Sequence, residues 1–337
     1  MIRARGLVQT FKTGQGRHKT DVRAVDGVDL DVAEGEVVGF LGPNGAGKTT
    51  TLRMLVTLLR PTAGTATVAG YDVVRESQQV RRSIGYVSQA GGTFSGARAG
   101  EEVMDHGMLY GMTQAEARGR GEELFEDLQL TGLWTRMPKN MSGGQKRRLD
   151  IAMGLIHDPT LVFLDEPTTG LDPQARANLW EHISRLRSER GATVFLTTHY
   201  LDEADALSDR IVIIDQGRIV ASDTSDNLKA QVSGDLVDLE VADADQVTLA
   251  AERLGSLATG VVVSGRHVRG RVERAGRAVP GLLRDLEAGG VSLDSIEVHR
   301  PTLDDVFLTL TGRTLRDAEA GDPLTEDDDT NLQEARS

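Results

Sequence analysis

One loop near the start of the chain has the residue types that bind a nucleoside triphosphate. Residues 42–49 match the pattern G-x-x-x-x-G-K-[ST] and lie between an apolar strand at 36–41 and a helical pattern. The glycines let the backbone aim N–H groups at a phosphate, Lys48 can reach the β- and γ-phosphates, and the Thr49 hydroxyl can bind Mg²⁺. The predicted nucleotide-binding residues of this segment are Gly42, Pro43, Asn44, Gly45, Ala46, Gly47, Lys48, Thr49 and Thr50.

A second apolar strand ends in two acids. The run at 161–164 is followed by Asp165 and Glu166, and a central parallel strand places such side chains at the carboxyl edge of its sheet. We predict that Asp165 holds the water shell of Mg²⁺ and that Glu166 orients and polarises the attacking water as a general base. The alternative is a strand that simply ends in solvated acids, and the phosphate-binding loop argues against it.

A glycine pair opens a later helix. The segment consists of Ser142, Gly143, Gly144 and Gln145, with Ser142 at the N-cap position. Capping alone would explain the serine. The glycines also leave the helix N-terminus sterically bare, so that it could dock against a phosphate from outside. Such a second anion site is expected if two copies of the chain face each other and each covers the nucleotide of the other.

Three single residues complete the candidate site. Phe11 is the only aromatic residue before Phe40, and its ring could either stack on an adenine or belong to the core of a strand end. Gln89 follows a short strand and could touch both Mg²⁺ and a mobile helical insert, or lie on the surface. His199 follows the strand at 193–198, where it can hydrogen-bond a γ-phosphate and sense its loss. The predicted catalytic residues are Glu166, His199 and Gln89, and the predicted Mg²⁺ ligands are Thr49, Gln89 and Asp165.

Predicted strands and helices alternate around these candidate residues. Strands alternate with helical patterns before about residue 90 and again after Asn140, which indicates a mainly parallel sheet. Between these parts, residues 90–140 predict an inserted, mostly helical subdomain. The polar stretch at 12–23 predicts a solvated hairpin loop.

The last third of the chain has a different order of elements. After a break at 222–235 the patterns follow the order βαββαβ and then one more helix, which is ferredoxin-like. We therefore predict a nucleotide-binding domain at 1–225 and a ferredoxin-like α+β accessory domain at 235–312. The remaining residues, 314–337, predict a disordered acidic tail.

Composition excludes several classes of protein. The chain has 38 basic and 51 acidic side chains and a formal charge of −13, which argues against a nucleic-acid partner. No cysteine is available for a disulfide scaffold, an iron–sulfur cluster or a thiolate zinc site. The sequence shows neither 18 consecutive apolar residues nor a signal peptide. We expect a cytoplasmic protein that does not itself span a membrane.

In their order, these motifs resemble those of ABC transporter ATPase subunits. The matching segments are Walker A at 42–49, a Q-loop at Gln89, the signature at 142–145, Walker B at 161–165, the catalytic Glu166, a D-loop at 170–172 and the switch His199. The chain is more specifically similar to the daunorubicin-resistance type of ATP-binding subunit of bacterial drug exporters. That likeness lies at 58–61, 166–173, 200–205 and 300–308.

The resemblance implies the P-loop fold of ABC nucleotide-binding domains, with a mainly parallel sheet, an antiparallel β subdomain and a helical subdomain. It implies a head-to-tail homodimer that encloses two Mg-ATP, with Asp172 in the D-loop, and it makes Phe11 the candidate for adenine stacking. Hydrolysis would drive a separate integral membrane permease from the cytoplasmic face of the membrane and export an amphipathic, drug-like compound. The alternatives are an exporter of lipid or polysaccharide and a soluble ABC ATPase that acts on DNA or ribosomes.

Overall fold

The computed structural model describes residues 1–13, 20–93, 96–232, 234–315 and 318. The chain divides into two units, of which the first is Met1–Ser225 with Leu315–Ser337 and the second is Asp226–Thr314. The acidic tail predicted at 314–337 lies almost entirely outside the described residues.

Strands and helices alternate through the first unit. Its strands are β1 Ile2–Thr13, β2 Thr20–Val32, β3 Val37–Leu41, β4 Ala63–Val68, β5 Tyr71–Asp72, β6 Ile84–Val87, β7 Leu161–Asp165, β8 Thr193–Thr198, β9 Arg210–Asp215 and β10 Arg218–Asp223. Its helices are α1 Lys48–Leu55, α2 Ser77–Ser83, α3 Ala99–Leu109, α4 Gln114–Asp127, α5 Gly143–Leu155, α6 Pro173–Arg190 and α7 Leu201–Leu207, with a 3₁₀ helix at Pro138–Asn140. Helix α8, Ser225–Ala230, begins at Ser225 and otherwise belongs to the second unit. Among the described residues, no helix is both long enough and apolar enough to cross a membrane.

A mainly parallel sheet brings the ends of β3, β7 and β8 together. Its order is β10-β9-β3-β8-β7-β6, and β10 is antiparallel to β9. Every residue of β3, β7 and β8 is buried, as expected for the uninterrupted apolar strands of a sheet covered on both faces. In the register of the sheet, Leu41 lies beside Thr198 and Asp165 lies beside Thr197. The predicted parallel sheet is confirmed, and the polar residues that follow these strands share one edge.

An antiparallel sheet in the order β2-β1-β4-β5 carries Phe11. The pairing of β1 with β2 continues to Thr13 opposite Thr20. The expectation of a loop over 12–23 is therefore wrong at both of its ends, and residues 14–19 lie outside the described part of the chain. Pairing satisfies the backbone groups of these polar residues, and β-branched side chains such as Val22 favour a strand.

The helical insert contains α3 and α4. Val103 of α3 and Leu124 of α4 share a hydrophobic core with Leu149 of α5. A Cβ added at Gly100 would lie 2.2 Å from the ring of Trp134, so the residue at this close approach must be glycine. The insert therefore packs on the helix that begins directly after Ser142.

The second unit is a small α+β domain. Its elements are β11 Asp235–Val241, α9 Val247–Gly255, β12 Ala258–Ser264, β13 His267–Val272, α10 Ala275–Ala288, β14 Leu293–His299 and α11 Leu303–Thr311, with a 3₁₀ helix at Ala244–Gln246. The sheet order β12-β13-β11-β14, with every neighbour antiparallel, confirms the predicted ferredoxin-like arrangement. Val237 and Leu239 of β11 pack in one core with Leu254 of α9 and Leu282 of α10.

Candidate functional site

At two positions of the loop between β3 and α1, no residue larger than glycine fits. A Cβ on Gly42 would lie 2.3 Å from the carbonyl oxygen of Ile214, and a Cβ on Gly47 would lie 2.5 Å from that of Ala24. Gly47 also has a φ of 101°, in the left-handed region that glycine adopts without strain. Because α1 starts at the next residue, its unpaired N–H groups lie beside the loop, where an anion can accept from them.

The other predicted residues of the loop differ in exposure. Asn44 and Gly45 are exposed and Thr50 is half-buried, whereas Pro43 and Ala46 are buried. A phosphate group can therefore approach the loop from the side of its tip.

Lys48 is enclosed by the loop that precedes it. Its Nζ donates to the carbonyl oxygens of Gly42, at 2.8 Å, and Pro43, at 3.0 Å, and it lies 3.4 Å from Oε1 of Glu166. A buried ammonium group requires such oxygen partners. Phosphate oxygens offer the same chemistry, so Lys48 can exchange these partners for a nucleotide.

Thr49 and Asp165 form a pair of oxygen donors at the end of the sheet. Oγ1 of Thr49 donates to Oδ1 of Asp165 at 3.1 Å, and Oγ1 of Thr197 donates to the same oxygen at 2.6 Å. A hydroxyl and a carboxylate suit Mg²⁺, which binds through few protein ligands and keeps waters and substrate phosphates as the others. The donor set of Thr49 and Asp165 therefore fits the predicted Mg²⁺ site.

Glu166 is the centre of a buried cluster. Its Oε2 accepts from Nε2 of Gln89 and Oγ1 of Thr169, each at 3.1 Å, and lies 3.2 Å from Nδ1 of His199. Lys48 faces the other carboxylate oxygen. The structure thus brings the three predicted catalytic residues together, and the amide of Gln89 contacts Glu166.

Opposing effects set the pKa of the two acids. Burial alone would raise the pKa of Glu166, but the His199 imidazole and the charge of Lys48 outweigh it and lower the pKa to about 2. The pKa of Asp165 is raised, because the effect of burial exceeds that of the hydrogen bonds from Thr197 and Thr49, which lower it. Glu166 is consequently ionised at neutral pH, in the state in which a carboxylate can accept a proton. A bound cation would favour the ionised form of Asp165 as well.

The glycine pair opens α5 as the sequence predicts. Oγ of Ser142 accepts from the backbone N–H of Gln145 at 3.3 Å, and the Gln145 side chain accepts from the backbone N–H of Ser142 at 3.0 Å. This reciprocal capping box leaves Ser142 and Gly143 exposed and Gly144 half-buried. Among the described residues, no hydrogen bond or ion pair joins this segment to the phosphate-binding loop of the same chain.

Asp172 and Phe11 lie apart from this cluster of contacts. Asp172 caps α6 by accepting from the backbone N–H of Ala175 at 2.9 Å. Phe11 is 39% exposed and pairs across the sheet with Val22, which is 46% exposed. These side chains form an open apolar platform rather than part of a core.

Two hydroxyl residues of the site escaped the sequence analysis. Oγ1 of Thr197 also accepts from the backbone N–H of Glu166 at 3.1 Å, so one threonine fixes both acids. Thr169 donates to the carboxylate of Glu166. The position of Thr197 near the end of a strand that leads to His199 was the available signal.

Comparison with known proteins gives consistent relatives. Residues 25–169 match the ABC transporter family. The daunorubicin resistance ATP-binding protein DrrA3 of Streptomyces coeruleorubidus is 43% identical over 93% of this chain and 100% of its own length. The linearmycin resistance ATP-binding protein LnrL of Bacillus subtilis is 38% identical over 87% of this chain and 95% of its own length. The Nod factor export ATP-binding protein I of Paraburkholderia xenovorans is 39% identical over 87% of this chain and 93% of its own length.

A solved structure is also similar. The dimeric structure of a post-hydrolysis state of the ATP-binding cassette MJ0796, bound to ADP and Pi, has a TM-score of 0.61 and 27% sequence identity. It covers 66% of this chain and 98% of its own length.

Proposed function

This chain belongs to the ATP-binding subunits of ABC transporters, and from that premise we propose that it powers the efflux of a drug-like amphipathic compound through a separate membrane permease. The chain is an ATP hydrolase of that family. Because the relatives reported above serve resistance or export, a soluble ATPase that acts on DNA or ribosomes is not favoured.

One observation carries the proposal for hydrolysis. The carboxylate of Glu166 lies within 3.4 Å of Lys48, which follows β3, and within 3.2 Å of His199, which follows β8. One sheet edge therefore places a phosphate-binding cation, a carboxylate base and an imidazole within contact distance of one another. These are the groups that hydrolysis of a phosphoanhydride requires.

Binding depends on the loop and on the two oxygen donors. The N–H groups at the start of α1 and the ammonium of Lys48 hold the phosphates of ATP. Thr49 and Asp165 would hold Mg²⁺. When bound, Mg²⁺ neutralises charge on the phosphate oxygens.

The chemical step depends on Glu166. Its ionised carboxylate accepts a hydrogen bond from the attacking water and takes its proton. Thr169 and Gln89 fix Oε2 of this carboxylate, and His199 lies beside the same oxygen, from which it can reach the γ-phosphate. Transfer of Lys48 from Glu166 to the phosphates of ATP would raise the pKa of Glu166 and make it a stronger base.

A second copy completes the nucleotide site in our proposal. At the exposed start of α5, the capping box uses the N–H groups of Ser142 and Gln145, so the N–H groups of Gly143 and Gly144, which carry no side chains, remain for an anion. In a head-to-tail homodimer this start would cover the γ-phosphate bound to the other copy, with Asp172 close to the interface. The dimeric cassette reported above supports such an assembly.

The transported compound would pass through a permease encoded separately, with this chain at the cytoplasmic face of the membrane. Support comes from relatives that are named ATP-binding proteins of drug resistance.

Efflux can be measured directly. Cells that express the chain together with a candidate permease, a polytopic membrane protein, should accumulate less daunorubicin than cells with that membrane protein alone. The Glu166→Gln variant should restore accumulation. Equal accumulation with the wild-type chain and the variant would contradict the proposal.

A further inference from the structure

Arg147 is a buried cation in the second turn of α5. It lies five residues after Ser142, and only 7% of its surface is exposed. The helix that starts at the glycine pair therefore carries a guanidinium into the interior of the first unit.

The guanidinium donates to three backbone carbonyl groups. Nε donates to Pro167 at 2.8 Å, one terminal nitrogen to Asp165 at 2.9 Å and the other to Ser88 at 2.5 Å. Two of these carbonyls belong to the residues on either side of Glu166. The third precedes Gln89.

Glu166 needs such support because its backbone is strained. Its φ is 43°, in the left-handed region that residues with a Cβ rarely adopt. Its own N–H is held by Thr197, and Arg147 holds the carbonyls before and after it. Strained backbone persists where the surroundings fix it, and here they direct the Glu166 side chain toward Lys48 and His199.

Lysine could not replace this arrangement. A guanidinium presents its donors in a rigid planar fork, so that one side chain can hold carbonyls in three directions. The ammonium of lysine is a point charge on a flexible stem.

We propose that Arg147 is a positioning residue for hydrolysis, which fixes Glu166 and Gln89 and links them to the helix that starts at Ser142. The link rests on the proposed function, in which that helix start contacts the nucleotide of the second copy. Movement of α5 on ATP-driven dimerisation then moves Ser88, Asp165 and Pro167 with it. The general base of each chain thereby responds to the nucleotide of its partner.

The test is steady-state ATPase kinetics on the full chain. Arg147→Lys and Arg147→Gln should lower kcat on the order of 100-fold, the loss expected for a misplaced catalytic group, and leave KM and the Kd for ATP unchanged. The matched control is Arg210→Lys, because Arg210 also donates to a backbone carbonyl, that of Asp31. Arg210 begins β9 and therefore lies at the amino ends of the parallel strands, whereas Glu166 follows a carboxyl end. The control should keep its kcat. Wild-type kcat in Arg147→Lys, or loss of ATP affinity together with kcat in either Arg147 variant, would overturn the proposal.

A second measurement separates this inference from the proposed function. In the Glu166→Gln background, ATP should drive dimerisation equally well with arginine or lysine at position 147. Failure of Glu166→Gln itself to dimerise would remove the proposed dimer and the link that depends on it. Dimerisation of Glu166→Gln together with wild-type kcat in Arg147→Lys would leave the dimer and refute the role of Arg147.

Discussion

At the scale of single residues, the chemistry depends on one carboxylate with competing neighbours. Glu166 is buried, which disfavours its charge, yet His199 and Lys48 keep it ionised. A carboxylate with a pKa of about 2 is a weak base. We expect ATP to change this, since the phosphates compete for Lys48.

The Glu166→Gln variant should separate binding from turnover. A glutamine keeps the shape of the side chain but cannot accept a proton, so kcat should fall about 100-fold or more, while ATP still binds and dimers accumulate. Phosphate release and size-exclusion chromatography with ATP measure the two effects. Glu122→Gln is the control, because Glu122 is an exposed residue paired with Arg118 on α4. Undiminished phosphate release by Glu166→Gln would refute its role as the base.

The pKa of Glu166 also makes stability depend on pH. Because the folded pKa of about 2 lies below the ordinary value of 4.5, ionised Glu166 stabilises the fold above about pH 4.5, and this contribution is lost as the pH falls toward 2. The full contribution is on the order of 3 kcal/mol.

Replacement of the imidazole should reduce this dependence. In His199→Ala the pKa of Glu166 should rise, so that the free energy of unfolding falls less between pH 5 and pH 3 than in the wild type. Carboxyl NMR titration and urea denaturation at both pH values measure it. His299→Ala is the control, because His299 is an exposed residue of β14, and it should behave as the wild type. An unchanged Glu166 titration in His199→Ala would contradict the assignment.

At the scale of elements, the start of α5 has two roles. One stabilises the fold of the chain, and we propose that the other is contact with a second copy. Its capping box stabilises the helix within the chain, whereas packing within the chain gives no reason for the exposed Gly143 to be glycine. A Cβ on Gly143 would meet nothing within 4 Å. A requirement for glycine at this position must therefore come from another molecule.

Gly143→Ala should leave the fold intact and weaken the dimer. Alanine is a better helix former than glycine, so the variant should melt at or above the wild-type temperature. The Cβ would obstruct the partner's nucleotide, and ATP-driven dimerisation in the Glu166→Gln background should weaken at least about tenfold. Gly119→Ala on α4 also meets open space and is the matched control. Equal dimerisation of the two variants would remove the role of the helix start.

At the scale of the whole molecule, the chain divides into two units with separate sheets and cores. The contacts of Lys48, Asp165, Glu166 and His199 described above all lie within the first unit. Nucleotide chemistry and the role of the second unit can therefore be tested separately.

A truncated chain that lacks residues 235–312 should fold and bind ATP with the affinity of the full chain, because the hydrophobic cores of the first unit contain no residue of the deleted segment. We propose that residues 235–312 contribute to dimer contact or to docking on the permease, and the truncated chain should lose one of these. Circular dichroism, ATP titration and co-purification with the permease measure the outcome. Unchanged dimerisation together with unchanged co-purification would exclude both roles.

The features that depend on residues close together in the chain could be predicted from the sequence alone. The phosphate-binding loop could be predicted because its strand, glycines and helix start are continuous in the chain, and the capping box of Ser142 and Gln145 spans four residues. The alternation of predicted strands with helices likewise indicated the parallel sheet, and the order of the predicted elements indicated the ferredoxin-like second unit.

Which of these segments come into contact depends on the order of the strands and the packing of the helices. Thr49 and Asp165 are 116 residues apart in the chain, yet their side chains are in contact. They meet because β3 and β7 end at the same edge of the sheet with only β8 between them. The strained backbone of Glu166 and the three carbonyls held by Arg147 have no local pattern, since each contact joins residues brought close only by strand order and helix packing. Spacing along the chain predicts the local structure and chemistry of one segment. The energy of a buried charge depends instead on neighbouring groups that come from distant segments of the chain.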